Sequence, residues 1–101
     1  MKSLTFIYYI AIESNNITKS VDWYRKKFNC KIKFQDNSWA LLVFKNISLA
    51  LVLPGQHPLH FAIVDEDISK LDESKVHRDG IRYIYDKNPD SNIIERIDRP
   101  S

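Results

Sequence analysis

At 101 residues the chain is the size of a single domain, large enough for a core but small enough to gain from burying surface against a second copy. Its 44% hydrophobic and 28% charged residues mark it as globular rather than disordered, and a net charge of +2 argues against a dedicated nucleic-acid binder. The longest apolar runs, Phe6–Ile12 and Leu49–Leu53, are too short to span a membrane.

Thr5–Ile12 is rich in β-branched and aromatic residues and reads as a strand buried on both faces. Asn16 is placed to cap a helix, and Ile17, Val21, Tyr24 and Phe28 then recur at helical spacing as one apolar stripe. Arg25, Lys26 and Lys27 near its end suit the helix dipole, and Asn29 is a candidate left-handed stop. Three strands are expected next: Lys31–Phe34, Trp39–Phe44 after the turn at Asp36-Asn37-Ser38, and Ile47–Leu53 after Lys45-Asn46. The stretch Pro54–Pro58, with His57 as an exposed residue, reads as a linker.

The order then repeats. Tyr9–Lys19 lines up with His60–Lys70, identical at four of eleven positions, and Tyr9 falls opposite His60. Leu59–Val64 is a strand and Asp67 a cap, but Ile68 and Leu71 supply barely one apolar helical turn. Lys75–His77 and Ile81–Tyr85 read as strands around the turn Arg78-Asp79-Gly80, and Ile93–Ile97 follows the turn Asn88–Asn92. Within the single domain, residues 1–54 make one βαβββ module and residues 59–98 a second, trimmed one. The fold class expected is α+β, with tandem βαβββ modules, cupped mixed sheets and helices on the outer face.

Three segments carry a resemblance to a known family: Ile17–Tyr24, His57–Ala62, and above all the turn and strand Asn88–Glu95. Together with the paired modules, they resemble the vicinal-oxygen-chelate superfamily, which contains glyoxalase I, extradiol dioxygenases, fosfomycin-resistance enzymes and bleomycin-resistance proteins. Asn88 and Ser91 depart from the Asp and Gly usual in that family's turn. In its metal-dependent members, the resemblance implies ligands from the first strand of each module and a Glu on the last strand. Carried over, these positions fall on Tyr9, His60 and Glu95, while Leu49-Ala50-Leu51 stands where some members place another Glu. Short members usually form homodimers, and the same is expected here.

Two site readings follow. A divalent ion (Mn, Ni, Zn or Fe) held by His60 and Glu95 would support a lyase, dioxygenase or transferase, but the set is one ligand short of the usual three, because a neutral phenol is a poor donor. The reading preferred from the residues is a metal-free cavity for a small molecule, of the bleomycin-resistance type and with no cofactor. Tyr9, Trp39, Tyr83 and Tyr85 would line it for a flat ligand, with His60 and Glu95 inside and Arg78 at the mouth to grip an anionic group. Strand alternation puts Tyr83 and Tyr85 on one face, and His60, Ala62 and Val64 on one face, with Phe61 and Ile63 turned towards the helices. Cys30, at a helix end with nothing nearby in sequence to lower its pKa, reads as packing. Its being the lone cysteine, and the lack of a visible secretory signal, suit a cytoplasmic protein. The partners expected are a small molecule and a second copy, with neither nucleic acid nor membrane.

Overall fold

The computed structural model describes residues 4–55, 59–65, 67–68, 74–77 and 80–98. It divides into two compact units, one formed by residues up to Tyr8 together with His60 onward, the other by Tyr9–Leu59.

In the second of these, strand β1 (Ile7–Glu13, its first two residues counted with the other unit) leads into helix α1 (Ile17–Lys27), and β2 (Lys31–Gln35), β3 (Trp39–Val43) and β4 (Ser48–Val52) follow. The strands lie in the order β2-β3-β4-β1. β4 runs parallel to β1 and antiparallel to β3. This is the pattern a βαβββ unit must adopt, because only the helical crossover returns the chain in the parallel sense. Asn16 caps α1 as expected, its Oδ1 accepting from the Lys19 N–H at 3.0 Å. Ile17 and Val21 pack with Cys30, Ala40, Leu42 and Leu51 to form the core between the helix and one sheet face. Each such buried Leu contributes about 2 kcal/mol.

Three local expectations for this module need correction. The helix ends at Lys27 with Phe28 as an extended cap (φ −136°) whose N–H returns to the Tyr24 carbonyl, so Asn29 supplies no left-handed stop. Phe28 continues the helical spacing but lies beyond the last turn, and the residue is 51% exposed instead of joining the core. β1 is not buried on both faces: Ala11 is buried, but Ile7 and Ile10 are exposed. A continuous apolar run records composition, not how many faces a neighbour covers.

The other unit repeats the plan. Strands β5 (His60–Val64), β6 (Lys75–Val76), β7 (Arg82–Lys87) and β8 (Ile93–Ile97) lie in the order β5-β8-β7-β6, with β8 parallel to β5 and antiparallel to β7. This is the same permutation as in the first module, so the fold is α+β with tandem modules and mixed sheets. β6 is only two residues long, and the short second helix falls outside the described residues beyond Ile68. The turn at Asn88 keeps its function with altered residues. Asn88 Oδ1 accepts from the Asp90 and Asn92 N–H groups at 2.9 Å each, and Ser91 adopts φ +68° where a glycine would be unstrained. Across the back of this sheet Arg96 grips Asp65 at 2.8 Å and 3.0 Å, tying the end of β5 to β8.

Candidate functional site

Strand register decides which side chains meet. In the second module His60 lies beside Ile93, which lies beside Lys87; Ala62 beside Glu95, beside Tyr85; and Val64 beside Ile97, beside Tyr83. Laterally paired residues point to the same face, so His60, Glu95, Tyr83 and Tyr85 share one side of the sheet. β6 adds Lys75 opposite Tyr83, and His77, two residues on, shares its face.

Glu95 is the centre of this face and is fully buried. His77 Nε2 reaches its Oε2 at 2.6 Å, while His60 Nε2 stands 3.7 Å from Oε1. An ionised Glu95 can only accept, and in that state His77 donates from Nε2. Tyr85 also donates its hydroxyl to Glu95; burial, then the Glu95 charge and Tyr83, push the Tyr85 phenol well above its ordinary range. It therefore stays protonated, a fixed donor. The rings lock together: His77 lies flat on Tyr83 (centroids 3.7 Å apart, planes at 7°), and Tyr85 meets both Tyr83 and His60 edge-on. The His77 side chain is 21% exposed, and Tyr85 is 36% exposed on the same face, partly buried and partly reached by solvent. Solvent thus reaches a histidine oriented by a carboxylate it cannot itself touch.

His77 is the member that sequence reading missed, having taken it as one end of a hairpin. The signal was present in the alternation of Lys75 with His77 before the Gly80 turn. That turn is confirmed by Gly80 at φ +90° and its N–H bonded to the His77 carbonyl at 2.9 Å. Arg78 lies outside the described residues. Tyr9 and Trp39 belong to the other unit. Tyr9 is half-buried on β1 beside Ser48, and Trp39 stacks on Phe34 at 4.4 Å.

Neither a family model nor a curated protein matches the sequence. Solved structures do match its fold. A hypothetical protein from Bacillus halodurans aligns at TM-score 0.73 and 16% identity, over 98% of this chain and 97% of its own. A glyoxalase/bleomycin resistance protein/dioxygenase superfamily member from Vibrio splendidus aligns at TM-score 0.64 and 10% identity, over 95% of this chain and 100% of its own. The chain has the fold of the glyoxalase/bleomycin resistance/dioxygenase superfamily. An NAD-dependent benzaldehyde dehydrogenase from Legionella pneumophila shares it at TM-score 0.59 and 13% identity, over 91% of this chain and 98% of its own. One fold thus carries differently named proteins, and reactivity must be argued from side chains.

The glyoxalase-type fold raises the question of its metal, and the donor set here does not fit that group. The register makes Tyr9 and His60 equivalent, each the first paired residue of its strand, and makes Ala50 the equivalent of Glu95. One module thus offers a phenol and a methyl where the other offers imidazole and carboxylate. His60 and Glu95, 3.7 Å apart, supply two ligand-type donors at the three carried-over positions, one short of the usual three, and His77 already holds the other Glu95 oxygen in a 2.6 Å hydrogen bond. Among the described residues no three His, Cys, Asp or Glu side chains form a group that could hold an ion.

Proposed function

We propose that the chain is a member of the glyoxalase/bleomycin-resistance superfamily that binds a small molecule on the Glu95 face of its second module, without the family's metal triad. One observation carries the reading: a fully buried carboxylate bonded to a partly exposed histidine and to Tyr85. A buried charge with this many donors is costly to assemble and gives little net stability, so such networks are often functional. His77 and Tyr85 are the groups a ligand would touch. Tyr85 presents a flat ring, and His77 presents a polar edge held in one orientation by Glu95 and Tyr83. Glu95 acts through them as a positioning residue.

The same reading takes the protein as a cytoplasmic homodimer. The exposed Phe6, Ile7 and Ile10, in and just before β1, support a second copy, because neighbouring apolar side chains are normally covered.

Ligand-observed NMR against flat aromatic and polar fragments tests the proposal, comparing wild type with His77→Ala and Tyr85→Ala. Hits lost in both variants are expected. Hits that persist unchanged in both would sink the reading. The adjacency of His60 and Glu95 favours the metal-dependent reading as the second. Thermal stabilisation by Mn²⁺, Ni²⁺, Zn²⁺ or Fe²⁺ that His60→Ala abolishes would replace the first reading with it.

A further inference from the structure

We propose that the free edge of the first module's sheet, strand β2 with the aromatic pair beside it, takes an extended acidic segment of a partner protein. This surface belongs to the first module and does not depend on the small-molecule reading. Charge is concentrated here: between Lys19 and Lys33 lie six basic side chains and one acidic one, in a chain whose net charge is only +2. Among the described residues, Arg25, Lys26, Lys27 and Lys31 make no ion pair.

Apolar surface sits in the same place. Trp23 and Phe28 are each 51% exposed with their rings 6.0 Å apart, and Ile32 is 41% exposed. Ile32 pairs with Leu42, a member of the core under α1, so it lies on the helix side of the sheet. β2 is the terminal strand of its module, and no described strand pairs with its outer side. It can therefore add an extended segment by main-chain hydrogen bonds, while Lys31 meets carboxylates and the aromatic pair meets apolar side chains.

The bland explanations cover only part of this. Compensation of the helix dipole accounts for Arg25, Lys26 and Lys27 but not for Lys31 or for two exposed rings. Lysines and the bulge between Ile32 and Phe34 protect an edge against pairing with its own copy. Like charge repels that copy, yet the same charge attracts an acidic strand. Single-stranded nucleic acid would need an open ring to stack on. Lys27 Nζ lies over the Trp23 ring at 5.9 Å, and Tyr24 and Phe28 pack against it edge-on. A lipid surface asks for protruding side chains, whereas these rings are half packed against one another.

The test uses the full chain and a fluorescein-labelled peptide of alternating Glu and Val, with a Lys and Val peptide as control. The acidic peptide is expected to bind with an affinity that falls as salt rises, and to shift amide resonances within residues 23–35. Lys27→Glu with Lys31→Glu, and separately Phe28→Ser, are expected to weaken binding about tenfold while circular dichroism stays unchanged. The proposal is overturned by an absence of salt-sensitive binding, by equal binding of the Lys and Val peptide, or by shifts outside that segment. It is equally overturned if phosphatidylserine vesicles or single-stranded RNA engage these residues while the acidic peptide does not.

Discussion

The two modules share one strand permutation and one register, yet the second builds a buried carboxylate into its middle row where the first has alanine. In the first, the rows across the sheet read Tyr9-Ser48-Val43, Ala11-Ala50-Leu41 and Glu13-Val52-Trp39; in the second, His60-Ile93-Lys87, Ala62-Glu95-Tyr85 and Val64-Ile97-Tyr83. The third row keeps an aromatic ring in each, and each ring is covered by another: Phe34 on Trp39, His77 on Tyr83. The difference lies in the middle row, where the first module has Ala50 and Leu41 at the positions that Glu95 and Tyr85 take in the second. Duplicated backbone therefore carries an apolar middle row in one module and a buried carboxylate with its donor in the other.

The sharpest way to break that contrast is to make the second module resemble the first. Glu95→Ala gives it the Ala50 row, stranding His77 and Tyr85 without their acceptor. A loss of about 3 kcal/mol, from the cavity and the two lost hydrogen bonds, is expected in urea denaturation. A loss below about 1 kcal/mol would mean the carboxylate is not integral to the packing. His77→Phe copies the Phe34–Trp39 pair instead. It keeps the stack but removes the Glu95 hydrogen bond, so a loss of about 2 kcal/mol is expected, together with loss of fragment binding. Unchanged binding would show that only the flat surface matters.

Smaller changes sharpen the comparison. Ser91 is the one non-glycine residue at positive φ among those described, in the turn that delivers β8 and Glu95. Ser91→Gly is expected to raise stability by about 0.5–1 kcal/mol in the same denaturation assay, with no gain marking a turn that is not strained. The slightest effect emerges only in alkali. The folded protein holds the Tyr85 proton above the ordinary value of 10.0, so it binds more protons than the unfolded chain there. That contribution is complete below pH 10.0 and is lost as pH rises through the raised value. Wild type should therefore lose more stability than Tyr85→Phe above about pH 10, and parallel curves would remove the Tyr85–Glu95 bond from the account.

Much of the architecture was legible because local rules act over short distances. Asn16 capped its helix, Ile17 and Val21 buried the predicted stripe, and Ile93–Ile97 formed a strand at the expected bounds. Phe28 and Ile10 were misjudged because hydrophobic spacing reports a face without reporting its cover. For the site, alternation placed Tyr83 and Tyr85 together, but nothing local connects His77 with Glu95, eighteen residues away.

The sequence by itself determined that there would be two modules, where each strand runs, and that Tyr9 and His60 hold equivalent places. Tertiary structure alone decided that His77 closes on Glu95. That contact depends on the lateral register of β6, β7 and β8, which is set by backbone pairing between strands that composition and periodicity do not encode.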